Sequence, residues 1–573
     1  MPSWRLILLS LLLCTTWLGC SDDPDPTPDS GTTVDSGTGP VDAGSDAGTD
    51  PIDSGTDAGT DPADSGSDAG TDPVDAGSDA GSDPTDGGAD GGSDAGTDAG
   101  PPDDTVRIRR FTRFLTASGY TEQPDDFSQT SIELFAVDGG ELVPVPGTSP
   151  APGEYVFPGI PQGTYHLRVD TFHVVTDARF LDLSVNRLGR SDTRFLEYGE
   201  RWLANLALGG LEPWRQDESD IQVVSGEVDY ASELGLFTPE EGATSVELEQ
   251  LIIGNDPGPM PVFEQSRGDR AWVMQMSPRQ LSASDGSEYS YTTTVRSLHL
   301  APFSYDNTAP MPLAGTLQPL PLNELSLDWR IPDFAALAAE VHPAATFRAA
   351  SFSLHPAAHG PPEGWVGWSG TLLSFRPEME ATSPIQGTLL YGNPFPSTWG
   401  VTGQARASFQ MRYQLPDDKS LTVTGSAFVD DRVADLTGRP LTPRVRPPRA
   451  LTVDGTDAYG PRTLSHGNHV VAWEPPAAGS VSAYLVHMRQ VIALTEDFLA
   501  APTVALFTLS ANTHSLLLPG NLLDPGQHYF LMVEAIHAPG YDVVDRPLML
   551  FDRANVSRVP AFTGLLSVPA LGP

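Results

Sequence analysis

The chain has 573 residues, carries 75 Asp and Glu against 32 Lys and Arg, and has a formal net charge of −43. That balance excludes a nucleic-acid binder, which needs clustered cationic charge to displace phosphate counterions; basic partners or metal cations suit it better. Twenty-three of the acidic groups, all Asp, lie in residues 21–104, which hold no Lys, Arg or Glu, and the rest is long enough for about three or four domains.

The N-terminus opens with one positive charge, Arg5, followed by the apolar run Leu6–Leu13. The run has the length of a secretory h-region and falls well short of the ~20 residues a spanning helix needs. Trp17-Leu18-Gly19-Cys20 then precede the polar Ser21-Asp22-Asp23. This resembles the lipobox of bacterial lipoproteins: Gly19 and Cys20 match, while Trp17 stands where Leu is usual. The resemblance implies a signal peptide over 1–19 and lipidation, palmitate included, at Cys20. It also implies, from Ser21 rather than Asp after the Cys, sorting to the outer membrane or cell surface. Cys14 and Cys20 are the only cysteines, so the mature chain would keep one thiol and form no intramolecular disulfide. The alternative is an ordinary secretory signal that leaves that thiol free.

Residues 20–104 read as the lipidated N-terminus and a disordered linker, because they offer almost no large apolar side chains to bury. From Thr38 to Gly92 five eleven-residue copies follow one another, beginning TGPVDAGSDAG and TDPIDSGTDAG. Like-charged Asp and flexible Gly open such a chain, and a neutral coil of this length would already span roughly 50 Å. Specific calcium loops need converging ligands and a bidentate Glu, as in an EF-hand. No Glu is present, so the expectation is a solvated stalk with weak, nonspecific divalent-cation binding and no cofactor.

From Thr105 onward short alternating or aromatic-rich runs are broken by Gly, Pro and Asp, the pattern of all-β domains. In 105–198, Thr130–Val137 reads as a strand and Asp138-Gly139-Gly140 as a hairpin turn. Then Gly153–Val169 places Tyr155 with Phe157, and Tyr165 with Leu167 and Val169, on shared strand faces. This stretch resembles the carboxypeptidase-regulatory-like, transthyretin-like β-sandwich, which implies a spacer or adhesive unit without catalytic residues of its own.

Residues 446–560 carry Val470–Pro476 with Trp473, the strand Tyr484–Val486, and Leu516–Gly520 leading into Tyr529–Ile536. They resemble a fibronectin type III domain, which makes Trp473 the core tryptophan and Tyr529 the corner tyrosine. Extra residues lengthen the connection between Gln490 and Ala511, and 561–573 reads as a tail. The larger region 199–445 resembles no family. It has strand signals at Ser287–Leu300, Ser369–Phe375 and Ala405–Leu415, and a short helix over Asp333–Val341 with Asp333 after Pro332 placed to cap it. Its length suits one or two domains.

Candidate sites are few. Arg267-Gly268-Asp269 is the integrin-type tripeptide, but it reads equally well as a polar turn. His355 with His359, and His466 with His469, lack the third and fourth ligands a zinc site requires and read as loop histidines. Seven of the eight tryptophans beyond the signal fall in or at the start of the middle region. Among them Trp365 and Trp368 form a candidate platform for stacking on sugar rings, against the commoner use of such rings as core. Glu240-Glu241 and Asp430-Asp431 sit in turn-like contexts and read as solvated. No G-x-S-x-G elbow, H-E-x-x-H or phosphate-binding glycine loop is present.

The fold expected is therefore all-β: tandem β-sandwiches after a disordered acidic linker, with a larger β-rich middle region. The function expected is that of a membrane-anchored envelope or cell-surface lipoprotein with a structural, adhesive or protein-interaction role. Its partners would be the membrane through its lipid, and envelope or surface proteins or glycans. The competing reading is a glycan-binding protein or hydrolase with its site in 199–445.

Overall fold

The computed structural model describes residues 104–571, apart from 129, 198–200, 235–238, 256–257, 360–368 and 496–497. The signal, Cys20, the acidic repeat and the Trp365–Trp368 platform therefore lie outside the described residues. The fold is all-β, with strands throughout and only short helical turns.

The first segment supplies β1 (Val106–Arg109), β2 (Ile132–Asp138), β3 (Glu141–Val145), β4 (Glu154–Phe157), β5 (Tyr165–Val169), β6 (Phe172–Thr176) and β7 (Phe180–Asp182). Asp138 pairs with Glu141 across the loop Gly139-Gly140. Both glycines have positive φ, 60° and 88°, as a type I′ hairpin turn demands. β1 lies between β4, antiparallel, and β7, parallel, and a second sheet runs β3-β2-β5-β6. The shared faces read from the sequence are real: the Tyr155 and Phe157 rings lie 5.0 Å apart, and Tyr165, Leu167 and Val169 are all buried.

The middle region adds β8 (Trp202–Gly209), β9 (Asp220–Ser225), β10 (Ser245–Ile253), β11 (Trp272–Ser282), β12 (Glu288–His299), β13 (Met311–Thr316), β14 (Leu322–Trp329), β15 (Thr346–Ala357), β16 (Ile385–Gly392), β17 (Gly400–Gln414) and β18 (Ser420–Arg432). A sheet of β10, β8 and β13 closes over its own core, with Trp214, Tyr230, Phe263 and Met311 at its centre. Two of the expected strands match β12 and β17, whereas within Ser369–Phe375 only Leu373–Phe375 is strand. The expected helix starts earlier and is broken in two, Ile331–Ala335 and Ala338–Val341. Arg330 is its N-cap and Asp333 lies inside the first turn without capping it. Pro332, which lacks an N–H to leave unsatisfied, fits within that first turn.

The last segment folds as an FnIII-like β-sandwich. Its strands are β19 (Arg449–Val453), β20 (His469–Glu474), β21 (Ala483–Ala493), β22 (Thr503–Ser510), β23 (Ser515–Leu518), β24 (His528–His537) and β25 (Val556–Phe562). One sheet runs β19-β20-β23 and the facing one β22-β21-β24-β25. Trp473 is buried edge-on to Tyr484 at 5.3 Å. The Tyr529 hydroxyl accepts the Asp524 amide at 2.9 Å, the local bond back to the upstream backbone that defines a tyrosine corner. The extra residues after Gln490 extend β21 into a hairpin, with Ala493 paired to Leu499. β25 runs past residue 560, and Phe562, Leu565, Leu566 and Val568 are buried, so the packed body takes in most of the stretch expected to be a tail.

One hydrogen-bonded sheet passes through all three segments. β6 pairs parallel with β22 over Phe172–Val175, and β18 pairs antiparallel with β25 over Phe428–Asp430. The C-terminal sandwich thus shares a sheet with each of the other two segments, which also touch one another directly through Arg187 on Asp229 and Arg190 on Asp269.

Candidate functional site

The C-terminal sandwich is joined to its neighbours at two places that differ in side-chain chemistry. At the first, the side chains are apolar. Leu134, Leu167 and Leu181 of the first segment share one core with Ala483, Leu485, Ile536 and Val556 of the last. Strand alternation puts every second residue of β5, β6, β21 and β24 on that face. His173 is carried on the opposite face, stacked 4.4 Å from Phe507. Burial and the nearby Arg168 and His166 push its pKa down to about 3, so it is neutral and packs as an aromatic.

The second joint is charged. In β18, Leu421, Val423, Gly425, Ala427 and Val429 occupy one face, and Asp431 is next in that series. Its side chain is fully buried. It bonds the Arg444 guanidinium and lies 3.2 Å from Arg439, both through Oδ2, while Oδ1 has no hydrogen-bond partner among the described residues. Asp430 is on the other face, accepting from Gln404 Nε2 at 2.6 Å. Burial pushes its pKa up to about 6, against the pull of Arg558 and the Gln404 bond. Close by on that face, Phe428 is held between Arg558 at 4.5 Å and Arg406 at 5.5 Å. The chain leaving β18 returns along the same joint. The Arg444 amide donates to Ser557 Oγ at 3.3 Å, and Arg446 forks onto Glu340.

The reading of Asp430-Asp431 as a solvated pair is therefore overturned: Asp430 is 4% exposed and Asp431 not at all. Two acids before an Arg have turn composition, but here they close a thirteen-residue strand whose end is covered by the returning chain. The signal that could have found them is the apolar alternation running into Asp431. Glu240 and Glu241 are exposed, as expected.

Other candidates are drawn into structural roles. Asp269 of the Arg-Gly-Asp tripeptide is 1% exposed, held by Arg190 at 2.9 Å and by the Glu264 amide at 2.7 Å, so the tripeptide is a turn. His355 lies on β15, not in a loop, bonded to Ser353 at 2.8 Å and the Gly370 carbonyl at 3.1 Å. His359 accepts from the Trp399 indole at 3.0 Å. His469 begins β20, 2.7 Å from Asp454. Trp214, Trp272, Trp329, Trp399 and Trp473 are buried. Among the described residues no group of three or more His, Cys, Asp or Glu is placed to hold a metal ion, and no helix is long and apolar enough to cross a membrane.

No family model and no curated protein matches the chain. Among solved structures, it is similar to a two-domain fibronectin type III segment of chicken tenascin. That match has 12% identity and a TM-score of 0.13, and covers 39% of this chain and 87% of that one. It is also similar to the chicken CNTN1 FN1–FN3 domains, with 10% identity and a TM-score of 0.12, covering 66% and 99%. Likenesses of this extent carry no argument about function; the FnIII-like sandwich rests on the strand order, Trp473 and the Tyr529 corner.

What the charged joint can do follows from its geometry. Adjacent strand residues point to opposite faces, so Asp430 and Asp431 cannot converge on one glycosidic bond as a hydrolase pair must. In the cavity of about 200 Å³ lined by Asp431, Leu436, Arg439, Leu441, Thr442 and Arg444, the carboxylate and both guanidinium groups are already engaged with one another. The arrangement is a clasp.

Proposed function

We propose that the chain is an exported, lipid-anchored envelope or cell-surface protein whose β-sandwich body serves a structural or adhesive role. Cys20 is its lipidation site and residues 21–104 are its stalk. The first segment acts in the manner of a carboxypeptidase-regulatory-like spacer, and the surface is the outer membrane. The observation that carries the structural part is the hydrogen-bonded sheet running through both joints. A body built this way holds its exposed faces at fixed mutual positions, which is what a spacer or adhesive rod requires and a flexible chain of beads lacks. The anchoring part is supported by the Leu6–Leu13 run and the Gly19-Cys20 pair.

Metabolic labelling with palmitate tests the anchor: label is expected in the wild type and absent from Cys20→Ser, and label that persists in the variant ends the proposal. Small-angle scattering of the full chain tests the body: one rigid envelope for residues 104–571 is expected, and independent motion of the three segments would count against a rod.

A further inference from the structure

A second cavity at the charged joint, about 170 Å³, is lined by residues from three places in the chain. Arg432 ends β18; Pro539 and Tyr541 follow β24; Arg553 and Asn555 precede β25. Strand alternation sends Arg432 to the side opposite Asp431, and its guanidinium has no hydrogen-bond or ion-pair partner among the described residues. The Asn555 amide is likewise unengaged. Arg553 lies 4.3 Å over the Tyr541 ring, and that ring is fixed by its hydroxyl donating to the Arg546 carbonyl. None of the lining residues is acidic, in a chain whose net charge is −43. Uncommitted donors and two guanidinium groups meeting in a concave site at a joint between segments are the chemistry that receives an anion.

We propose that this cavity binds a carboxylate borne on a small polar ligand, of the kind a uronic acid presents. Arg432 forks onto the carboxylate oxygens, Arg553 supplies a second positive charge held in place by Tyr541, and the Asn555 amide donates to the remaining acceptor. A planar fork matches a carboxylate in two parallel bonds, which a lone ammonium cannot do. At about 170 Å³ the cavity is below the size of a whole drug-sized pocket, and what it takes is one sugar-sized group. The site does not depend on lipid anchoring or on the adhesive role.

Calorimetric titration of the full chain with glucuronate, with inorganic sulfate and with glucose tests it. Saturable binding of glucuronate and none of glucose are expected. Arg432→Gln should weaken glucuronate by about tenfold without moving the melting temperature, since Arg432 is exposed. Asn555→Gly, which keeps the positive-φ backbone (62°) and removes the amide, should weaken it by a few-fold. Sulfate that binds with the same sensitivity to both variants supports the anion site and adds tetrahedral oxyanions to its ligands. The proposal is overturned if neither anion binds saturably, or if both variants bind as well as the wild type.

Discussion

The two joints of the C-terminal sandwich use the same device, a few backbone pairs that continue a sheet, and opposite side-chain chemistry. The parallel joint to the first segment has four pairs and rests on Leu134, Leu167, Leu485 and Ile536. The antiparallel joint to the middle region has three pairs, is crossed by Arg558 over Phe428 and by Arg446 on Glu340, and is flanked on the middle-region side by Asp431 with Arg444 and Arg439 and by Asp430 with Gln404. Apolar burial is non-directional and indifferent to salt, so the first joint should tolerate changes of ionic strength and fail through cavities or, as the pH falls, through protonation of the buried, neutral His173. A buried ion pair offsets its own desolvation only while complete. The second joint should therefore be sensitive to the loss of any one partner and to protonation, and in exchange it fixes register and orientation.

The largest effect expected at the charged joint is from Arg444→Ala, which leaves buried Asp431 with Arg439 alone. Breaking such a pair costs roughly 3–5 kcal/mol, read as the drop in unfolding free energy in urea. Pairing the change with Asp431→Leu should recover a large part of it, and a single variant as stable as wild type would mean the clasp carries nothing. At the apolar joint Leu485→Ala, 2% exposed in the wild type, should cost about 2–4 kcal/mol. Unlike the first, that loss should be the same at low and high salt.

A pH series separates the joints further. The Asp430 carboxyl has its folded pKa raised to about 6, above its ordinary unfolded value of about 4. The folded chain thus holds this proton more tightly. Its contribution is fully present below about pH 4 and is lost as pH rises through about 6. Asp430→Asn should remove that part of the slope, roughly 2–3 kcal/mol between the two ends. Asp229, raised by burial to about 6, and Asp220, raised by burial and Glu233 to about 7, contribute slopes of the same sign that remain in the variant. An unchanged slope in Asp430→Asn would place the titration elsewhere. The smallest effect is at neither joint: Tyr529→Phe removes the corner bond to the Asp524 amide and should cost about 1 kcal/mol, with both joints keeping their salt and pH behaviour.

Much of the body was legible along the chain because the signals are local. A two-residue glycine turn demands positive φ, so Asp138-Gly139-Gly140 announced its hairpin. A tyrosine corner is a bond across five residues, so Tyr529 could be placed from Leu516–Gly520 and the strand that follows. Period-two alternation marked β12 and β17 before any partner was known. The helix was found but misplaced, because Asp333 after Pro332 satisfies a capping pattern that the backbone met one turn earlier, at Arg330.

Local pattern could not show which strand edges meet. β6 with β22 and β18 with β25 join residues more than a hundred positions apart, and no periodicity within either strand encodes its partner. The environment of Asp430 and Asp431 was hidden for the same reason. An acid at a strand end is solvated or buried according to what folds back over it, and here that is a chain segment carrying Arg439 and Arg444. Sequence composition and short-range spacing determined the all-β class, the Trp473 and Tyr529 sandwich and the turn chemistry, since these depend on neighbours a few residues apart. Only the tertiary structure decided that three segments become one sheet and that a buried charge clasp lies beside its second joint, because burial and strand pairing are set by contacts distant in sequence.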